Sequence, residues 1–291
     1  MQSAQKISVI IPAKNEETTI GTLVTSLREI LPEAEILVVD DGSTDGTGRV
    51  AAAAGAGVVR HPASRGNGAA IKSGTRKAQG DILVFMDADG QHAPADVPAL
   101  LAQIEAGFDL VVGARTAGMH ASGFRLAANW VYNSLASWIT GVRISDLTSG
   151  FRAARAGVFR SFVSLLPNGF SYPTTSTMAF LRDGYSVTFV PISARQRPAG
   201  TKSHIRILKD GGRFLVIIFR VGTLYSPLKI FVPFSLLFFV LGAAYYAYTF
   251  ITSGRFTNLA ALLFTSSVLV FLIGLVSEQI TQLQFSQRKL D

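Results

Sequence analysis

Cysteine is absent from the 291 residues, which excludes disulfides, thiolate metal sites and cysteine nucleophiles. A chain with no disulfide to form suits a reducing compartment. Charge is scarce too. Only 16% of residues are Asp, Glu, Lys or Arg, against ~25% in typical soluble domains. Acidic residues are the rarer sign, 19 against 27 basic, for a formal charge of +8. The first apolar run turns through PAKNEE, which has no glycine, and neither Gly55-Ala56-Gly57 nor Gly66-Asn67-Gly68 completes G-x-G-x-x-G. A dinucleotide-dependent oxidoreductase is thereby disfavoured. P-loop, H-E-x-x-H and G-x-S-x-G signatures are also missing.

Apolar residues are abundant instead, at 48% of the chain, with a mean hydropathy of +0.35. That composition excludes a disordered protein. A purely soluble nucleic-acid binder would carry more charge, so no nucleic-acid partner is expected. The length allows one large or two ordinary domains and a sizeable core.

The excesses are local. Residues 1–200 hold 18 basic and 16 acidic residues, a net of +2. Residues 201–230 hold Lys202, Arg206, Lys209, Arg213, Arg220 and Lys229 against Asp210, a net of +5. Beyond them, Ile230–Ile251 and Leu259–Val276 are uncharged runs, one long enough and one just long enough for a hydrocarbon core that needs ~20 helical residues. They predict a hairpin of two transmembrane helices joined by TSGRFTN. Buried helices of a soluble core seldom run so far without charge. Basic residues flank the pair, and Arg255 alone sits in the connection, so the positive-inside rule puts both ends in the cytoplasm. The apolar run Ile7–Ala13 is too short for a signal peptide and reads as a strand. Residues 203–226 mix cations with Ile205, Leu208, Leu215, Ile218 and Phe219, which suits a helix in the membrane interface or a globular surface helix. The expected organisation is a cytoplasmic domain over 1–200, a basic amphipathic interfacial segment over 201–229, a hairpin over 230–277 and a cytoplasmic tail over 278–291. Small residues at Gly242-Ala243-Ala244 allow homo-oligomers through the spans.

Within 1–200, strand-like KISVIIPA, EILVVDD, GVVRH, DILVFMDAD and DLVVGAR alternate with helical stretches at Glu17–Leu31, Thr44–Gly55, Gly68–Gln79 and Pro94–Glu105. Such alternation predicts an α/β domain on a mostly parallel sheet. Ligands bind such sheets at the carboxyl ends of strands. Asn15-Glu16, Asp40-Asp41 and Asp87-Ala88-Asp89 each end an apolar strand, and together they predict a site. In MDADGQH, two carboxylates two residues apart and Gln91 two further on offer hard oxygen ligands for Mg²⁺ or Mn²⁺. Taken alone, the same residues suit a capped turn.

The ordered set IIPAKNEE, VVDDGSTDGT, RGNGAAIKSG, MDADGQH, VVGAR and SDLTSGFR resembles the family 2 glycosyltransferases. Within them it is most similar to the polyprenyl-phosphate sugar synthases. The likeness runs from residue 6 to about 205 and continues into the interfacial helix and two spans. It implies the Rossmann-like A-type glycosyltransferase fold, a nucleotide-sugar donor (UDP- or GDP-hexose), a polyprenyl phosphate acceptor and a divalent metal. By position it implies Pro12, Lys14, Glu16, Val39, Asp41, Lys72, Ala88 and Arg197 for the donor. Asp87, Asp89 and Gln91 match the metal ligands. Arg115 and Arg125 match arginines beside phosphates and acceptor, and Asp146 matches an Asp near the acceptor. Lys202, Ser203 and His204 fall where relatives contact the diphosphate, through Lys202 or His204. Taken singly, Arg125 and Arg152 also suit a solvated helix face. Lys14 replaces a Tyr, and Thr175 a Glu, common in relatives.

The implied reaction is an inverting hexosyl transfer at the cytoplasmic membrane face. A lipid phosphate, with a second pKa of ~6, is largely dianionic at neutral pH. It needs orientation more than a strong base, which assigns Asp146 to positioning first and general base second. A processive polysaccharide synthase would carry Q-x-x-R-W, which Gln196-Arg197-Pro198 does not supply. A non-catalytic adaptor with a decayed transferase domain would have no need of intact Asp41, Asp87, Asp89 and Gln91.

Overall fold

The computed structural model describes residues 5–115, 123–169, 171–192, 222–223 and 225–286, and of 123–129 and 284–286 the backbone alone. Arg197, Lys202, Ser203 and His204 lie outside the described residues, as does nearly all of the expected interfacial segment. The chain divides into two compact units, residues 1–205 and 206–291.

The first unit is built on a seven-stranded sheet in the order β3-β2-β1-β4-β6-β5-β7. Its strands are β1 (Ile7–Ala13), β2 (Glu35–Asp40), β3 (Gly57–Arg60), β4 (Ile82–Phe85), β5 (Leu110–Arg115), β6 (Arg152–Arg155) and β7 (Val187–Ile192). Helices α1 (Glu17–Ile30), α2 (Thr47–Ala53), α3 (Asn67–Lys77), α4 (Val97–Glu105), α5 (Gly123–Thr140), α6 (Ala156–Phe162) and α7 (Tyr172–Arg182) connect or cover it. The central strands read as unbroken apolar runs because both faces are covered. Val9, Ile10 and Ile11 of β1 and Leu83, Val84 and Phe85 of β4 are wholly buried. Helix α1 turns Ile20, Leu23, Val24 and Leu27 into the core, the three-to-four spacing of one helix face.

The chain direction sets the site. Strands β1, β2, β3 and β4 run parallel, as do β5 and β7. Strand β6 runs antiparallel to both of its neighbours, with Arg152 opposite Phe85 and Val112. Residues 146–151, which lead into β6, therefore arrive at the edge where β4 and β5 end. The polar residues after the apolar runs fall just past the ladder: β4 stops at Phe85, two residues before Asp87.

The second unit is a helical hairpin, α8 (Pro227–Ser253) and α9 (Asn258–Ser286), both long and apolar enough to cross a membrane. Gly254 closes α8 in the left-handed conformation, φ +62°, its N–H donating to Phe250 O at 2.9 Å. The helices pack closely at small residues: a Cβ at Gly274 would lie 2.5 Å from Phe231 Cβ. Ser235 and Ser267 each donate a hydroxyl to the other's backbone carbonyl at 2.9 Å. Phe234, Leu236, Phe239, Leu262, Val268 and Ile273 point outward, as lipid-facing side chains do.

Candidate active site

The loops after β1 and β2 are laced into one surface. Asn15 has φ +56°, the single positive value among described non-glycine residues, in a region asparagine tolerates best. Its N–H donates to Ser43 Oγ (3.0 Å), and its Oδ1 accepts from Thr44 N (2.9 Å). Glu16 N donates to Thr47 Oγ1 at 2.9 Å. Thr19 Oγ1 donates to Ala88 O at 2.8 Å, which joins α1 to the turn after β4. Pro12 is half-buried and Lys14 exposed at the end of β1. Val39 is wholly buried, packed where a Cβ at Gly74 of α3 would lie 3.1 Å away.

Asp41 is enclosed by donors. Its Oδ1 takes His61 Nδ1 (2.7 Å) and Arg65 N (2.8 Å), and its Oδ2 takes Ser64 Oγ (2.8 Å) and Gly66 N (2.9 Å). Burial alone would raise its pKa, but the hydrogen bonds outweigh burial and bring the carboxyl down to about 2. Asp41 thus shapes the loop 61–66 that leads into α3. Gly66 (φ +99°) and Gly68 admit the backbone of 167–169 against that helix start: a Cβ at Gly66 would lie 2.5 Å from Asn168 O. The amides of Gly68 and Ala69 donate to Gly169 O and Asn168 O, which accounts for RGNG as a packing device. Lys72 Nζ donates to Leu166 O at 3.0 Å, and burial lowers its pKa.

At the carboxyl edge of β4, Asp87 and Asp89 flank buried Ala88, and Asp89 Oδ1 accepts Gln91 N at 3.1 Å. Burial pushes the Asp87 carboxyl up, and the like charge of Asp89 adds to this, while His92, Asn67 and Arg152 act against it. Gly150 sits against Asp87, where a Cβ would lie 2.5 Å from Oδ2. Among the described residues, four buried side-chain polar atoms lack a protein partner: Asn67 Oδ1, His92 Nδ1, Arg152 Nε and Thr75 Oγ1. Three of these four belong to residues acting on Asp87. Among the described residues, no group of three or more His, Asp or Glu forms a complete cation cage. A carboxylate pair in which Asp87 is disfavoured by burial and by the like charge of Asp89, with unsatisfied polar atoms nearby, nevertheless fits Mg²⁺ or Mn²⁺ completed by substrate phosphates. Asp87 and Asp89, with Gln91 alongside, are the residues that would hold it.

Arg115 closes the next strand end. Its Nε and one terminal nitrogen grip Asp146 Oδ2 (2.8 Å) and Oδ1 (3.0 Å), and the guanidinium also donates to Thr148 Oγ1 (2.6 Å). Burial would raise the Asp146 carboxyl, yet the Arg115 fork and the Thr148 amide hold it below the usual carboxylate range. A carboxylate so held is a weak base and a firm anchor for Arg115. Asn133 of α5 holds the same loop, donating to Ser145 O (2.8 Å) and accepting from Leu147 N (3.1 Å). Arg125 falls in α5, its side chain outside what is described.

Arg152 is not on a solvated helix face. It begins β6 and is wholly buried. Its guanidinium donates to Pro173 O (2.9 Å), Ser176 Oγ (2.7 Å), Thr177 Oγ1 (3.3 Å) and Ser149 O, which binds the first turns of α7 to the Asp146 loop. Thr175, also buried, donates to Ser171 O at 3.0 Å. Sequence reasoning missed Asn67, His61 and Asn133; the RGNG spacing was the one available signal, and it pointed to the first.

Comparison with known proteins gives two family matches. The glycosyl transferase family 2 model matches residues 8–163, and the GtrB C-terminal hairpin model matches residues 226–283. Glycosyltransferase AglJ of Haloferax volcanii is 30% identical over 99% of this chain and 98% of its own. Polyprenol monophosphomannose synthase of Mycolicibacterium smegmatis is 33% identical, over 69% and 81%. Among solved structures, glucosyl-3-phosphoglycerate synthase of Mycobacterium tuberculosis, in complex with Mg²⁺ and UDP, superposes with a TM-score of 0.60 at 26% identity, covering 75% of this chain and 78% of that one.

Proposed function

The chain belongs to glycosyltransferase family 2 and is a glycosyltransferase with two candidate membrane helices, and from that premise we propose that it transfers a hexose from a nucleoside-diphosphate sugar to a polyprenyl phosphate. The observation that carries this reading is the convergence of Asp87, Asp89 and the Arg115–Asp146 pair on one sheet edge. Relatives named as a polyprenol monophosphomannose synthase and an undecaprenyl-phosphate mannosyltransferase support the acceptor class.

In this reading the acceptor's phosphate oxygen attacks the anomeric carbon as the bond to the diphosphate breaks. Attack opposite the leaving group inverts the anomeric configuration, and a nucleoside diphosphate departs with the bonding electrons. A divalent cation, when bound, neutralises charge growing on that leaving group. Asp87 and Asp89, with Gln91 alongside, would hold that cation at the carboxyl edge of β4. The loops joined by Asn15, Glu16 and Ser43 bound the donor side, where Pro12, Lys14 and Asp41 also lie, and Lys202 or His204 closes on the phosphates. Arg115, held by Asp146 through Nε and one terminal nitrogen, presents its positive charge to anionic oxygens. An interaction of this type accelerates the reaction to the extent that it strengthens as charge develops. The acceptor is already dianionic near neutral pH, so Asp146 positions Arg115 and no general base is required. The basic flanks of the hairpin support a cytoplasmic active site at the membrane face.

Nucleoside diphosphate release by the full chain in lipid nanodiscs tests this. Release that needs both polyprenyl phosphate and Mn²⁺ or Mg²⁺ is expected. Equal release without lipid phosphate, or with chelator present, contradicts it.

A further inference from the structure

Helix α3 runs from Asn67, beside Asp87, back to the edge of the sheet where β4 begins. Its charged side chains are Lys72, Arg76 and Lys77, and residues 67–80 contain no acid. Helix α6 and the single turn Val163–Leu165 after it carry Arg160 as their one charge. A cavity of about 420 Å³ opens between these elements, lined by Thr75, Arg76, Arg160, Val163 and Ser164. Both charged residues that line it are cations. Arg76 follows Asn67 by nine residues, roughly 13 Å along the helix axis, so the cavity lies away from Asp87.

The floor of the cavity is chemically unfinished. Thr75 is wholly buried, and its Oγ1 has no hydrogen-bond partner. A threonine inside a helix can donate its hydroxyl to the carbonyl three or four residues back; Thr75 does not. Arg160 is fixed without being neutralised: one terminal nitrogen donates to Ala78 O (2.9 Å) and Gly80 O (3.3 Å), just past the end of α3. Among the described residues, no carboxylate pairs with Arg76 or Arg160. Glu35 and Asp81, the acids at this edge, accept instead from Gln79 N (2.8 Å) and Lys6 N (3.0 Å). Arg76 also follows Lys72 by one turn, and its charge adds to burial in lowering the Lys72 pKa. Like charges four residues apart on a helix repel, and a bound anion would offset that repulsion.

We propose that this cavity binds the phosphoryl group of a small phosphomonoester, at a site separate from the active site. Two guanidinium groups and one hydroxyl match the three terminal oxygens of such a group, and charge-assisted bonds to arginine are the strong ones. The volume falls within the ~300–1,000 Å³ of small-ligand sites and exceeds what a phosphoryl group alone would fill. Buried Val163 supplies an apolar wall for the body of the ligand. The same phosphomonoester chemistry is offered by a soluble metabolite and by a lipid headgroup. Neither the sugar donor nor its acceptor enters the argument, so the site stands apart from the transfer reaction.

Thermal unfolding of the full chain in nanodiscs tests this without turnover, with chelator present to keep divalent cations out. One set of discs is zwitterionic and receives glycerol 3-phosphate as the soluble probe. A second set contains phosphatidic acid, which presents the same group from a lipid. Unfolding of the first unit is read from Trp130 and Trp138, exposed on α5. The expected result is a saturable rise of about 5–10 °C at about a hundredfold excess over Kd. A rise with glycerol 3-phosphate supports a soluble ligand, and a rise confined to the phosphatidic acid discs supports a headgroup. Arg76→Gln is expected to raise the concentration giving half the rise about tenfold or more. Thr75→Val should weaken binding too, yet leave the ligand-free unfolding temperature unchanged or higher, since it removes an unpaired buried hydroxyl. No rise with either probe, or a rise that both variants leave intact, would overturn the proposal. A lower ligand-free unfolding temperature in Thr75→Val would overturn it as well, because the hydroxyl would then serve the fold.

Discussion

Replacing Asp41 by Asn isolates the loop-shaping role of this carboxylate. Both oxygens accept from two donors each, at 5% exposure. An amide keeps one acceptor oxygen and turns an NH₂ toward two of those donors. The Ser64 hydroxyl can rotate to accept, but the Arg65 and Gly66 amides cannot reverse. A buried donor left unpaired costs about 1–3 kcal/mol. The pKa gives an independent figure: a fall from 3.8 to about 2, at roughly 1.4 kcal/mol per unit, is worth about 2 kcal/mol. A loss of about 2–3 kcal/mol lowers the unfolding temperature of a unit this size by about 4–12 °C. Unfolding followed by emission of Trp130 and Trp138 reports on the first unit and not the hairpin. The pH dependence supplies a second check. A depressed carboxyl stabilises the fold above its unfolded pKa and loses that contribution as pH falls through its folded value. The gap between wild type and Asp41→Asn should therefore hold at pH 5 and above and close as pH falls from about 4 toward 2. A shift below 1 °C at pH 7, or a gap that persists at pH 2, would refute the reasoning.

Gly150→Ala places a methyl 2.5 Å from Asp87 Oδ2, and overpacking of about 1–3 kcal/mol borne by the cation site raises the Mn²⁺ needed for half-maximal donor binding about tenfold or more; an unchanged Mn²⁺ titration would contradict this. Asp146→Asn removes the Arg115 anchor, and turnover is expected to fall by less than about 10²-fold with no new basic limb in the pH profile, whereas a loss of ~10³-fold or more recovered at high pH would identify a general base. Tyr132→Phe deletes the buried bond to Thr174 Oγ1, 2.8 Å long, that ties α5 to α7. Its cost of about 1 kcal/mol lowers the unfolding temperature by about 2–4 °C, readable by the same emission scan.

The parallel part of the sheet was legible because β1, β2, β4 and β5 are unbroken apolar runs ending in polar residues, a pattern that burial on both faces imposes. Strand β6 was not. RAAR begins with an arginine that is buried because α7 supplies three oxygens to it, and no local pattern records a partner more than twenty residues away. The antiparallel sense of β6 is likewise a tertiary fact, and it brings Asp146 to Arg115 across 31 residues of sequence. Asp87-Ala88-Asp89 was readable from spacing, since two carboxylates of one turn need no distant partner. Asp41 was readable as a special residue, though its company of His61, Ser64, Arg65 and Gly66 comes from a loop 20 to 25 residues on. Exposed Trp130 and Trp138 could not be told from core aromatics, because helical periodicity shows which residues share a face and not which face is buried.

The most direct measurement is transfer of radiolabel from UDP- and GDP-hexoses into the chloroform-soluble phase by the full chain in membranes, with Mn²⁺ and with undecaprenyl or dolichyl phosphate. Label should enter the lipid phase with one of the donors, only when lipid phosphate is added, and not when Asp87→Asn replaces the wild type. No lipid-soluble label with any donor, or equal label from Asp87→Asn, would contradict the assignment.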